Sequence, residues 1–332
     1  VRKLDRIAVA WVVLAGLGLA ASASAQQILR LGSIVAPASV QAQAMDRFAD
    51  GVKKRNVGLE VRTFHGSQLG GAPEQVRNVQ LGVQDMFMDG MVFWGDYSDD
   101  MRIAETPFTF ASREHFERWV QSPSFNRIRE EIIAKGNQRL INLGVMWRRG
   151  PFRVLVAKKP VLTLEDFSAV RLRVWQSEVA TRFYGKAGLG ATPVVLPLGD
   201  VYVGMMQGVV DGLTLPFDLV QPMKFQEVGK FIMLWDEFWQ VLPMSISEKK
   251  WQSLTEAQRK ALTEAADEAG QWYNEQLSQS VVQWKADLVK SGATLVEVNR
   301  APFVARIAER NRQWQAEGYW RKGLIDEIEK LR

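Results

Sequence analysis

A chain of 332 residues, 24% charged and 47% hydrophobic, exceeds one ordinary core and has the balance of a soluble two-domain protein. The absence of cysteine excludes a disulfide framework, a thiol nucleophile and a zinc–thiolate site. The formal net charge of +5 is mild and scattered, with no basic run beyond Lys53-Lys54-Arg55, so the composition excludes a clustered nucleic-acid footprint.

Arg2, Lys3 and Arg6 precede an uncharged apolar stretch from Ile7 to Ala20, and Ala23-Ser24-Ala25 supplies an Ala-x-Ala site. This pattern reads as a signal peptide over residues 1–25, cleaved to leave Gln26 first. The competing reading is a membrane anchor, but about fourteen apolar residues fall short of the roughly twenty a spanning helix needs.

Strand and helix periods then alternate, which predicts an α/β fold. Leu59 to Phe64 alternates like a strand; the next helix has Pro73 in its first turn and Gly82 just past its end. Asp85 to Met88 reads as a short strand, and Ser112 as the cap of a helix turning Phe116, Trp119 and Val120 inward. Arg139 to Met146 is again strand-like, and Phe152 to Ala157 opens a second domain. Val170 to Val174 is a strand with Arg171, Arg173 and Trp175 on one face, followed by a helix opening at Ser177. Thr255-Glu256-Ala257-Gln258 is a capping box. Apolar residues at Leu262, Ala266, Ala269, Tyr273, Leu277, Val281, Trp284 and Leu288 then predict one helix of roughly 35 residues, about 50 Å long. A break near Gly270 is the alternative.

The block from Phe167 to Phe217 resembles the solute-binding proteins of the tripartite ATP-independent periplasmic (TRAP) transporters, the DctP family. Three motifs carry the resemblance in order: Asp166 to Val174, Gly190 to Val194, and Val201 to Gly212. Leu29 to Arg55, Ser67 to Gly71, Val79 to Met86 and Thr106 to Phe110 extend it over nearly the whole mature chain. The resemblance implies a two-lobed α/β periplasmic binding protein, type II-like, with a long helix bridging both domains. It further implies that residues 26–150 with 236–276 form domain I, that 151–235 with 277–332 form domain II, and that the helix at about 256–290 spans both.

It also implies a site. The pattern of residues leaves a structural ion pair open for either arginine of the strand, but the family's carboxylate-binding arginine falls on Arg173 and not on Arg171. A second family arginine falls on Arg153, with Arg148 and Arg149 as close competitors. After Asp211-Gly212 the family often has Gln-Glu-Asn-Pro, whereas this chain has Leu213-Thr214-Leu215-Pro216; Leu215 therefore cannot hydrogen-bond a ligand through its side chain. Leu198 stands where many relatives carry an aromatic ring. Trp94, Trp175 and Trp239 are candidate aromatic walls, and Gly90 and Met91, with the loop Val35-Ala36-Pro37 and with Gln68, are candidate contributors from domain I. The reduced polar inventory implies a ligand with an apolar body.

No catalytic motif is present: His65 and His115 belong to no paired pattern, and there is no nucleophile elbow, Walker loop or dinucleotide fingerprint. The adjacent carboxylates Asp236-Glu237 and Glu130-Glu131 point apart and do not form a glycosidase pair. The expectation is a monomeric periplasmic protein, not an enzyme, with no cofactor and no metal. It would capture a small-molecule carboxylate and deliver it to the small and large TRAP membrane permease subunits. A sensor reporting to a receptor, and a secreted enzyme, are the alternatives.

Overall fold

The computed structural model describes residues 27–332; the expected signal peptide lies outside them. In chain order the strands are β1 (Gln27–Gly32), β2 (Leu59–Phe64), β3 (Met86–Met88), β4 (Gln138–Leu140), β5 (Arg153–Ala157), β6 (Arg171–Val174), β7 (Thr192–Val195), β8 (Gly212–Pro216), β9 (Phe231–Leu234), β10 (Met244–Ser247) and β11 (Thr294–Glu297). They form two mixed sheets, ordered β2-β1-β3-β10-β4 and β11-β9-β5-β8-β6-β7. In the first, β10 runs antiparallel to β3 and β4; in the second, β5 runs antiparallel to β8 and β9. Each sheet is the centre of one lobe, and the chain crosses between lobes after β4, after β9 and again before β11.

Local chemistry accounts for the helices of the first lobe. The Ser39 hydroxyl caps helix Val40–Lys54, accepting the Ala42 N–H at 3.2 Å, and Ala44, Met45, Phe48 and Val52 place one buried face against β1 and β2. Helix Ala72–Leu81 carries Pro73 in its first turn and ends on Gly82, whose φ of 73° suits a residue without a Cβ. The expected strand from Arg139 to Met146 pairs only over β4. Beyond it the Asn142 side chain replaces the ladder, donating to Leu242 O at 2.8 Å and accepting the Met244 N–H at 2.7 Å.

The capping box at Thr255 opens a single helix, Glu256–Lys290, of 35 residues. Gly270 does not break it. The Trp147 indole lies against this position and donates to Ala266 O at 2.9 Å, and a Cβ at Gly270 would come within 2.3 Å of Trp147 Nε1. The first half of the helix buries Leu262, Ala266, Ala269 and Tyr273 in the first lobe; Leu288 is buried in the second. One rigid rod thus joins both cores. No described helix is long and apolar enough to cross a membrane.

The C-terminal segment, expected wholly with the second lobe, straddles the two. Phe303 packs 4.7 Å from Trp235 and Trp314 packs 4.4 Å from Phe183, in the second lobe. Farther on, Arg321 pairs with Asp100 at 2.6 Å, and Ile328 O lies 2.7 Å from His115 Nε2, both in the first. Periodicity predicts that such a helix buries a face, but not which lobe it will cover.

Candidate functional site

Three strand ends of the second sheet converge on one edge. β6 runs parallel to β8, with Arg173 opposite Leu213; β5 runs antiparallel, with Arg153 opposite Pro216. The C-terminal ends of β6 and β8 and the start of β5 therefore face the first lobe together, where open α/β sheets form their ligand crevices. Between the lobes at this edge lies a cavity of about 30 Å³, room for about two waters, lined by Arg149, Arg153, Arg173, Trp175, Thr214 and Gln240 among its polar groups. Its apolar lining is Ile34, Val92, Phe93, Leu198, Leu215, Pro216 and Leu219. A wider cleft of about 630 Å³ adjoins it, sharing Val92 and Phe93.

Arg173 is 6% exposed. Its Nε–H donates to Leu196 O at 2.9 Å, but among the described residues it forms no ion pair. Burial, then the neighbouring Arg153 and Arg149 charges, push its guanidinium down to about 9, opposed only by Asp89. Arg171, two residues earlier on the same face, is exposed at the strand's outer end and makes a two-pronged pair with Asp211 at 2.7 and 2.9 Å. The two arginines of one strand thus have opposite fates: one paired in solvent, one buried and uncompensated.

Arg153 also lines the cavity but is already partnered. Its Nε–H donates to Glu237 Oε1 at 2.9 Å, and its terminal nitrogen donates to Thr214 Oγ1 at 2.9 Å. The guanidinium lies 4.3 Å from the Phe238 ring and 5.7 Å from that of Trp175. Arg149, a competitor of Arg153 in sequence, lines the same cavity and pairs with the fully buried Asp89. Arg148 instead turns to Glu117 at 3.1 Å.

Trp175, Leu198 and Leu215 line the cavity as expected positions of the wall. Trp94, Met91, Trp239 and Gln68 do not. Trp94 is fully buried in the first lobe, its indole donating to Gln138 Oε1 at 3.0 Å, and Met91 is core beside it; the cavity is lined instead by Val92 and Phe93. Trp239 lies under Arg113, 4.6 Å from its guanidinium, at a separate surface hollow. In the segment from Glu237 to Gln240, Glu237 and Phe238 both contact Arg153 and Gln240 lines the cavity, whereas Trp239 lies under Arg113. Gln68 is exposed. Gly90 contributes by absence of a side chain: a Cβ there would meet Gln240 Oε1 at 3.0 Å and Arg149 Cδ at 3.1 Å.

Sequence reasoning missed Gln240, Thr214 and Ile34 as lining residues, and Glu105 altogether. Glu105 is buried, and its Oε2 accepts from Trp175 Nε1 at 3.0 Å and from Ser177 Oγ at 2.9 Å. Desolvation pushes its carboxyl up to about 8, against the lowering effect of those two bonds. The only sequence signal for it was an acid in the first-lobe run before Thr106-Pro107-Phe108. The histidines are bound up in the fold: His65 between Ser33 and Asp46, His115 against Ile328 O.

Residues 31–317 match the family model of the bacterial extracellular solute-binding proteins, family 7. Among curated relatives, a solute-binding protein of Verminephrobacter eiseniae is 26% identical, over 93% of this chain and 90% of its own length. The 2,3-diketo-L-gulonate-binding periplasmic protein of Escherichia coli K12 is 28% identical over 77% of each. Among solved structures, a TRAP periplasmic solute-binding protein from Ochrobacterium anthropi with bound L-fuconate superposes with a TM-score of 0.84 at 24% identity, covering 92% of this chain and 99% of that one.

Proposed function

Because the chain belongs to family 7 of the bacterial extracellular solute-binding proteins, we propose that it captures an organic acid between its lobes, anchors the carboxylate on Arg173 and hands the ligand to a TRAP membrane permease of small and large subunits. One observation carries the anchor: Arg173 is a buried cation without an anion, at the convergence of three strand ends. A buried unpaired charge is costly, and a ligand carboxylate would offset that cost with a planar, two-pronged hydrogen-bonded pair. It is a binding protein and not an enzyme.

Arg153 and Trp175 form the rest of the wall in this reading. Arg153, held by Glu237 and Thr214, keeps further N–H groups for the ligand, while Trp175, Leu198 and Leu215 give it dry surface. Domain I is residues 26–150 with 236–276, and domain II is 151–235 with 277–317; the final segment fastens one to the other. The protein acts in the periplasm as a monomer, the two lobes closing as hinged domains do. Relatives that bind 2,3-diketo-L-gulonate or C4-dicarboxylates fit the same carboxylate chemistry.

A thermal-shift comparison of organic acids with their own amides tests this reading. A ligand that binds the folded protein raises its melting temperature in proportion to its affinity. Carboxylates should raise it and the matching amides should not. Equal shifts from acid and amide would contradict the carboxylate anchor.

A further inference from the structure

The polar groups that the Arg173 cavity offers can be counted one by one. Arg149 and Arg153 line it, yet Asp89 and Glu237 already neutralise them. The buried Asp218 carboxyl feels both of those arginines without an ion pair to either, so with it ionised three arginines and three acids balance. Arg173 is nevertheless the one of the three that forms no ion pair among the described residues, so the site offers one direct partner for a carboxylate, not two. The Thr214 hydroxyl oxygen accepts from the Arg153 guanidinium and lies 3.5 Å from the Tyr184 hydroxyl. Gln240 is different: it is 5% exposed, and its Nε2 has no hydrogen-bond partner. A buried amide donor without an acceptor is costly unless a ligand supplies one. Apart from spare N–H groups of the arginines, the rest of the lining is apolar, and the space as it stands holds about two waters, so a ligand enters only with the lobes parted wider.

Building on the carboxylate reading above, we propose that the ligand is a short monocarboxylic acid with one acceptor oxygen next to the carboxylate and a branched aliphatic or aromatic body. The carboxylate meets Arg173, the 2-oxo or 2-hydroxy oxygen meets Gln240, and the body lies against Ile34, Phe93, Leu198, Leu215 and Leu219. A sugar acid would set several hydroxyls against these side chains without partners, each an unsatisfied buried group. A dicarboxylate would bury a second charge for which no arginine is free. The apolar body gains instead from leaving water.

Calorimetric titration with named probes decides the matter. The panel is 3-methyl-2-oxobutanoate, 4-methyl-2-oxopentanoate, 3-phenyl-2-oxopropanoate and 4-methylpentanoate, set against D-glucuronate, L-fuconate, D-galactonate, succinate and L-malate. At least one 2-oxo acid should bind about a hundredfold or more tighter than any sugar acid or dicarboxylate, since two lost buried hydrogen bonds already correspond to that ratio. Gln240→Leu should weaken the 2-oxo acids by about tenfold while leaving 4-methylpentanoate within about twofold. Leu215→Asn should raise affinity for the sugar acids. If a sugar acid or dicarboxylate binds tightest and still depends on Arg173, the ligand class is wrong and the carboxylate anchor survives. If that best binder is indifferent to Arg173→Ala, or no carboxylate in the panel binds, the anchor fails and takes the ligand class with it.

Discussion

Glu105 and Trp175 join the two lobes beside the cavity. The carboxylate belongs to the first lobe and the indole to the second, and Trp175 Nε1 donates to Glu105 Oε2 at 3.0 Å, with the Ser177 hydroxyl donating to the same oxygen at 2.9 Å. The bonds hold in place the aromatic wall beside Arg153, so one first-lobe side chain helps set the shape of the cavity.

That side chain makes stability depend on pH in a definite sense. Burial raises the Glu105 carboxyl to about 8, with Asp96 adding to the rise and Ser177, Trp175 and Arg102 opposing it. A carboxyl that holds its proton more tightly in the folded, packed state contributes stability that is fully present below its ordinary solution value and is lost as pH rises through about 8. Glu105→Gln keeps an acceptor for both donors and cannot ionise. Its melting temperature should match wild type near about pH 5, exceed it increasingly up to about pH 8, and keep a level lead above that. A difference between the two proteins that stays flat from about pH 5 to about pH 8 would refute the buried, proton-holding role. Asp218 and Asp236, which burial also raises to about 6, contribute equally to both proteins and cancel.

Glu237 should prove far less tolerant. It is 1% exposed and holds the buried Arg153 at 2.9 Å. Glu237→Ala strands that guanidinium among Phe238, Trp175 and Thr214, and removing one member of a buried pair costs about 3–5 kcal/mol. Denaturant unfolding should show a loss of that order, and a loss below about 1 kcal/mol would show that Arg153 finds other partners.

Gly270→Ala offers a sharper test of packing. Alanine is the better helix former by about 1 kcal/mol, so an isolated helix would gain. Here the new Cβ would come within 2.3 Å of Trp147 Nε1. Overpacking of this kind costs typically about 1–3 kcal/mol, so the variant should be destabilised on balance in denaturant unfolding. A stabilised variant would mean that Trp147 moves aside freely.

The family and the fold were legible because they rest on period and order. The alternating run Leu59 to Phe64 became β2, the capping box at Thr255 opened the long helix, and the arginine strand came out as β6 with Arg173 buried. The site was legible where a residue follows a regular strand. It failed where the backbone leaves one: Trp239 and Gln240 are neighbours in a segment between β9 and β10, and nothing in their spelling says which faces in. Trp94 shows the same limit, since the chain has twelve tryptophans and aromatic character alone does not separate a core ring from a wall. Arg149 was indistinguishable from Arg148 in sequence because its partner, Asp89, is supplied by the other side of the crossover. Glu105 was invisible because its meaning depends on Trp175 and Ser177 reaching it from another lobe.

Arg173 itself predicts an unusual combination of effects. Its charged form is disfavoured in the folded chain, the guanidinium being pushed down to about 9 by burial and by two neighbouring arginines. Without ligand, Arg173→Ala should therefore melt at or above the wild-type temperature, because it deletes an uncompensated buried charge. A clear drop would mean that the bond to Leu196 O, or a partner other than ligand, already satisfies it.

The most direct test of the account is calorimetric titration of wild type, Arg173→Ala and Arg173→Lys with the acid that binds wild type best in the panel above. Loss of one member of a buried charge pair corresponds to about 3–5 kcal/mol, so Arg173→Ala should weaken binding by roughly two orders of magnitude or more. Arg173→Lys should also bind poorly, since a point charge cannot reproduce the two-pronged fork. Binding by Arg173→Ala within about threefold of wild type, less than about 1 kcal/mol, would contradict the assignment of Arg173 as the carboxylate anchor.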